Sequence, residues 1–285
     1  MAKYLDPKAD VTFKKVFGEH KNLVISLLNA LLPLEDGKQV ESIEYLPPEL
    51  VPETPLGKNT IVDVRCEETG GRKFIVEMQM EWRANFKQRV LLNASKAYVK
   101  QLQRGNDYNL LQPVYSLNLV NETFEPDMEE YYHYYRLVHY LHSDKVLEGL
   151  HLVLVELPKF KAKNLTEKKM QVLWLRFLTE IGEATKEVPQ DLVDNPHVNE
   201  ALEIVEESAL SDEERARYDG FWDLVSREAT KEAEMKAAIA ERDAAKERLR
   251  QTVCNLKEVG MSVEQISKIT GLKPTEVETL WGCTK

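Results

Sequence analysis

Along the first third of the chain, apolar residues recur first at helical and then at strand spacing. VTFKKVF follows Asp10, and KNLVISLLNALL places Leu, Ile and Val at three- and four-residue steps, so both runs predict helix. Gly18 offers a break between the two pieces, and Pro33 ends the second. A short strand is predicted over Val40 to Leu46 (VESIEYL), stopped by Pro47 and Pro48. From Asn59 to Met80 the chain reads NTIVDVRCEETGGRKFIVEMQM, two strand-forming runs around Gly70 and Gly71. Glu81 to Gly105 reads as a long helix closed by glycine. Pro113 to Val120 (PVYSLNLV) is an apolar strand. YYHYYRLVHYL and LHLVLVELPKF predict two more strands, joined between Ser143 and Gly149. From Leu165 onward the pattern is helical.

Helix, three strands, helix and strand, with further strands behind, describe an α/β domain: a mixed sheet flanked by helices, followed by an all-helical C-terminal tail. The boundary is expected where KFKAKN leaves the last strand. This gives a sheet domain over 1–163, a helical extension over 164–225, a long Ala/charge-rich helix over 226–258 and a small helix-turn-helix over 259–285. The long helix has no proline or glycine between Ser226 and Leu256. Its seam of Met235, Ala238, Ala245, Leu249 and Leu256 is interrupted by Arg242 and Thr252, which predicts a solvated arm or a loose dimer helix rather than a strong coiled coil. In the last segment Ser262 and Gln265 form a capping box, Gly271 ends one helix and Pro274 opens the next.

Composition narrows the class. Of 285 residues, 43% are hydrophobic and 30% charged, ordinary globular values. No apolar run reaches the ~18 residues of a membrane span, and MAKYLDPKAD lacks the apolar core of a secretory signal. Cys66, Cys254 and Cys283 fit neither a disulfide framework nor a zinc set, so free thiols in a reducing cytoplasm are expected. The net charge of -10 is uneven. Residues 1–125 carry 16 Lys and Arg against 17 Asp and Glu, the remainder 22 against 31. Non-specific DNA coating is disfavoured, while a local cationic groove in the front half is not.

The candidate chemistry lies in the hairpin. With Thr69-Gly70-Gly71 as a three-residue loop, Glu68 faces Arg72 and Asp63 faces Glu77. Alternation then groups Val62, Val64, Cys66, Phe74, Val76, Met78 and Met80 on one face, and Asp63, Arg65, Ile75, Glu77 and Gln79 on the other. Opposed β-carbons lie ~4.5–5.5 Å apart. Two carboxylates that close repel, unless one is protonated or a cation lies between them. Mg²⁺ suits such a site, because it takes hard oxygen ligands and often uses one or two carboxylates plus water and phosphate. The Met78 carbonyl is a candidate third ligand. A solvent-facing pair balanced by Arg65 and Lys73 is the other reading.

This order of elements, with an Asp on the second strand and Glu-x-Gln on the third, resembles the PD-(D/E)XK nuclease core. FKKVFG after Asp10, Asp63 with Glu77-Met78-Gln79, the helix bearing Arg89 and Tyr98, VELPKF and the tail ITGL resemble the Rpn family of recombination-promoting nucleases, also described as transposases. The resemblance implies a restriction-endonuclease-like fold, Asp63 and Glu77 as ligands of Mg²⁺ (or Mn²⁺), and Gln79 in the place of the superfamily's lysine. An amide orients by hydrogen bonds but brings no charge, so steep dependence on divalent ion is expected. Val62 stands where a proline often precedes the first acid.

Asp10 has two readings: a residue near the site that orients water or shares a metal, and a helix N-cap. Arg89 shares a face with Lys96, Lys100 and Arg104, a stripe that could hold DNA phosphates or simply face solvent. Tyr98 reads as core packing. His133 and His139 share a strand face but lie ~20 Å apart, so with His142 they are assigned structural or surface roles. Glu156 and Lys159 support the groove or form a turn. The function expected is a Mg²⁺-dependent DNA endonuclease that promotes recombination and dimerises through its helical tail. The alternatives are a non-catalytic DNA-binding or assembly protein on a degenerate nuclease fold, and a transposase proper.

Overall fold

The computed structural model describes residues 3–50, 60–80, 83–102, 107–162 and 169–281. By internal contacts the chain divides into two units, Met1–Phe221 and Trp222–Lys285, with the boundary inside one continuous helix.

The first unit opens with helices α1 (Asp10–Glu19) and α2 (Lys21–Leu31). The break falls at extended His20 rather than at Gly18. Gly18 stays helical and lies where α1 meets the sheet: a β-carbon there would sit 3.8 Å from Val64 Cγ2. Next come strands β1 (Ile43–Tyr45), β2 (Glu49–Leu50), β3 (Thr60–Ile61), β4 (Val64–Glu68) and β5 (Lys73–Gln79). Helix α3 (Phe86–Val99) then crosses over to β6 (Val114–Val120), β7 (Tyr132–His139) and β8 (His142–Glu156). The helix expected to run to Gly105 ends earlier, at Val99 with Lys100 as its C-cap, and Gly105 itself lies outside the described residues. Among those described, a mixed six-stranded sheet runs β1-β4-β5-β6-β8-β7, parallel at β5–β6 and β6–β8, while β2 and β3 pair separately. This is the α/β architecture expected, with its helical C-terminal region.

Both faces of the sheet are covered. Val64, Cys66, Phe74, Val76, Leu117, Leu119, Val153 and Val155 pack in one cluster with Phe13, Phe17 and Leu27. That cluster also takes in α4 (Lys169–Glu180) and α6 (Pro196–Ile204), which lie on either side of the single-turn α5 (Gln190–Val193), through Trp174, Phe177, Val198 and Leu202. On the opposite face, Ile75 and Val114 meet Ala94 and Ala97 of α3, and Val120 and Leu154 meet Phe86 and Val90. Each fully buried Val, Leu or Phe contributes roughly 1.5–3 kcal/mol relative to exposure. The N-terminal segment is tied across the unit: Leu5 N–H donates to the Val205 carbonyl at 2.9 Å, and Asp6 N–H to the Tyr218 hydroxyl at 2.9 Å.

Two details of the sheet differ from expectation. The β7–β8 turn is Tyr140–Leu141, residues without turn chemistry, and Ser143 to Gly149 are strand. Irregularities in the β7–β8 pairing after Arg136 and after Val138 absorb the resulting shift in register. Val62 belongs with Leu50, Ile75, Ala94 and Ala97 rather than with Val64. The chain bends at Asp63, which interrupts the alternation, and the Val62 N–H donates to the Pro48 carbonyl at 3.1 Å.

The second unit holds most of α7 (Asp212–Glu258), with α8 (Val263–Thr270) and α9 (Pro274–Trp281). The Ser262–Gln265 capping box is formed, and Gly271 ends α8 in the left-handed conformation at φ 74°. Val253, Ile266 and Val277 make its small core, joined by Leu256 from the seam.

Candidate active site

The hairpin has the register read from its loop. Val64 pairs with Val76, Cys66 with Phe74 and Glu67 with Lys73. Glu68 N–H donates to the Arg72 carbonyl at 3.1 Å, and Gly71 takes the left-handed conformation at φ 86°. Extended by one residue, the same register sets Asp63 opposite Glu77. Antiparallel ladders bond at alternate pairs, so the position after Val64–Val76 would be Val62–Met78. The bend at Asp63 removes it. The Asp63 Oδ2 oxygen replaces the missing backbone acceptor, taking the Met78 N–H at 2.7 Å. Since a strand residue's carbonyl points to the same side as its N–H, Met78 turns its C=O toward the same corner.

Glu77 is 5% exposed on the α3 face. Asn93 of α3, 1% exposed, donates Nδ2–H to Glu77 Oε1 at 2.7 Å. Arg89, one turn earlier, lies 3.8 Å from Glu77 Oε2, donates to Gln79 Oε1, and stacks 4.9 Å over its own helix neighbour Phe86. From α1, Lys14 Nζ pairs with Asp10 Oδ1 at 2.6 Å and approaches Asp63 Oδ1 at 3.9 Å. Burial pushes the Asp63 carboxyl up to about 6, against the pull of the Met78 N–H and Lys14. Burial, and then the nearby charge of Asp63, push Glu77 up to about 7, against Asn93 and Arg89. Glu77 is thus buried beside a second carboxylate, an arrangement that favours a positive charge between the two.

Among the described residues no group of three or more His, Cys, Asp or Glu has metal-holding geometry. Two carboxylates and a backbone carbonyl remain as the hard-oxygen set. That set fits a cation that keeps several waters and takes up a phosphate, as Mg²⁺ does.

The model of the PD-(D/E)XK nuclease family transposases matches residues 7–224, more than three quarters of the chain. The chain belongs to this family. The nuclease resemblance read from the sequence is thus borne out at family level, and the family implies nuclease or transposase activity with DNA as substrate. No curated protein and no solved structure gives a significant match. The match takes in α1 to α6, the whole sheet and the first turns of α7.

In this family member the other candidates take varied places. Asp10 is the first residue of α1 rather than its N-cap, which is Ala9. Lys96 donates to the Leu50 carbonyl at 3.3 Å. Tyr98 packs against the α3-side core. His133 is buried 3.3 Å from Glu156 Oε2. Glu156, fully buried at the end of β8, also accepts the Glu125 N–H at 2.7 Å and pairs with Lys159. Burial works against its ionisation, but Lys159, the Glu125 and Phe124 amides and His133 outweigh it and hold its pKa below the usual glutamate value. This network fastens the loop after β6 to β8. Arg104 lies outside the described residues.

Sequence reasoning missed Asn93 and Lys14. Asn93 had a signal: with Phe86, Val90 and Ala97 it occupies steps of four, three and four, a polar residue on an otherwise apolar stripe. Lys14 had a weaker one, its place four residues after Asp10 on the same helix face.

Proposed function

We propose that the chain is a divalent-metal-dependent DNA endonuclease. The observation that carries this reading is the pair Asp63 and Glu77, set opposite each other by the register of β4 and β5, with Glu77 buried beside the charge of Asp63 and both carboxyls held above their ordinary values. Such a pair destabilises an unliganded fold and needs a use. Asp63, Glu77 and the Met78 carbonyl would hold Mg²⁺ or Mn²⁺, which when bound supplies Lewis-acid polarisation of a phosphate and a lowered pKa for bound water.

The chain's own side chains do the rest. Asn93 fixes the Glu77 carboxylate so that Oε2 faces the cleft. Arg89 holds Gln79 in place and presents a guanidinium to phosphate oxygens. Gln79 orients the attacking water through its amide. In the reaction a water oxygen bonds to phosphorus while the bond from phosphorus to the leaving sugar oxygen breaks. One water proton passes to solvent and one to the leaving hydroxyl. We further propose self-association through residues 226–258, where Met235 and Ile239 are exposed.

The test is conversion of supercoiled plasmid with Mg²⁺, Mn²⁺, Ca²⁺ or EDTA, with wild type beside Asp63→Ala. Nicking that requires Mg²⁺ or Mn²⁺ and is lost in the variant supports the reading. Equal nicking by both proteins would place the activity elsewhere. Absence of cutting by either would favour the non-catalytic DNA-binding reading.

A further inference from the structure

The superfamily's strand lysine is replaced here by Gln79, and the site is left to draw positive charge from elsewhere. Arg89 reaches it from α3 on one face of the sheet and is engaged with Gln79 and Glu77. Lys96 is turned to the Leu50 carbonyl. On the other face α1 presents two adjacent lysines with different surroundings. Lys15 is largely buried, bonded to Glu214 Oε1 at 2.8 Å and to the Ala209 carbonyl at 2.9 Å, which makes it a fastening between α1 and the start of α7. Lys14 remains 41% exposed, with its ammonium between Asp10, at 2.6 Å, and Asp63, at 3.9 Å.

The approach is built into the packing. Gly18, one turn beyond Lys14, rests against Val64, the residue next to Asp63. The close seat of α1 on the first residue of β4 therefore carries Lys14 to the bend where Asp63 lies. A lysine stem spans several ångströms on rotatable bonds, so its ammonium can leave Asp10 for a phosphate brought to Asp63 without moving the helix.

Resting on the nuclease reading, we propose that Lys14 is the catalytic cation of this site, contacting a non-bridging oxygen of the scissile phosphate from α1 in place of the strand lysine. Asp10 holds it ready when no DNA is bound. Loss of one such contact to developing charge typically lowers the rate by about 10²–10³-fold.

Wild type, Lys14→Gln, Lys14→Arg and Asp63→Ala are compared in two measurements. The first is the single-turnover cleavage rate of a short labelled duplex in Mg²⁺. The second is the affinity of that duplex in EDTA as a function of salt. Lys14→Gln is expected to lose about 100-fold or more in rate and to flatten the plot of log affinity against log salt by roughly 0.9, the value of one phosphate contact. Lys14→Arg is expected to keep the slope and recover part of the rate. An unchanged rate, or an unchanged slope, in Lys14→Gln overturns the proposal. Failure of wild type to cut would overturn the nuclease reading itself, and the salt slope would then decide separately whether Lys14 contacts phosphate.

Discussion

At the scale of single residues, the carboxyls of Asp63 and Glu77 set a sign for pH dependence. Their folded values, about 6 and about 7, lie above the ordinary 3.8 and 4.5. Between those limits the folded chain binds more protons than the unfolded one, so stability falls as pH rises. The contribution is fully present below about pH 4 and lost as pH passes 7. Without divalent ion, Asp63→Asn and Glu77→Gln are therefore expected to raise the melting temperature at pH 7.5 and to leave it unchanged near pH 4. Melting curves in EDTA across that range check this. Cation binding runs the opposite way, strengthening as the pair loses its protons. Asn93→Ala removes the donor on Glu77 and leaves a buried carboxylate less satisfied, at a cost of about 1–3 kcal/mol. The same change is expected to move the onset of cleavage to higher pH, read from the rate profile.

At the scale of elements, the departure from a regular hairpin creates the site. Were β4 to continue unbroken through Val62, Met78 N–H would bond to backbone, and Asp63 would have no ladder gap to fill. Val62→Pro tests how this member holds its bend. It would restore the residue often found before the first acid, but it removes the N–H that bonds Pro48. A loss of about 1 kcal/mol is expected from thermal or urea unfolding. The register was legible because Gly70 and Gly71 admit only one loop length that keeps the apolar sets together. The opposition of Asp63 and Glu77 came with it. The reversal of Val62 was not legible, because alternation carries no mark of a bend whose cause is a side chain capping a neighbouring strand. Nor did the Tyr140–Leu141 turn announce itself, since neither residue is a turn former and the strand propensity of Leu137 and Val138 runs up to it. The approach of Lys14 to Asp63 is tertiary, set by how α1 seats on Val64.

At the scale of the whole molecule, the sheet depends on the helices C-terminal to it. Trp174, Phe177, Val198 and Leu202 cover the face formed by Val64, Val76, Leu117 and Val153. A chain ending at residue 163 would expose that face. It is expected to be insoluble or molten, whereas one ending at residue 221 is expected to melt cooperatively. Circular dichroism and dye binding separate the two outcomes. The match to the family model, over 7–224, ends close to that second boundary. In the described residues no helix is long and apolar enough to cross a membrane.

The ties from Leu5 to Val205 and from Asp6 to Tyr218 join residues some two hundred positions apart, beside the helix that carries Lys14. A chain is made from its N-terminus, so α1 emerges from the ribosome long before its anchors exist. Contacts of such sequence separation form late. Asp63 and Glu77 can meet as soon as the hairpin closes, and α1 can seat on Val64 beside them, but the segment that leads into α1 is not tied down until Tyr218 has been synthesised. An unfinished chain would thus carry the paired acids with α1 seated on the sheet but its N-terminal lead and Lys15 still untied, and those last fastenings would wait for nearly the whole of the first unit.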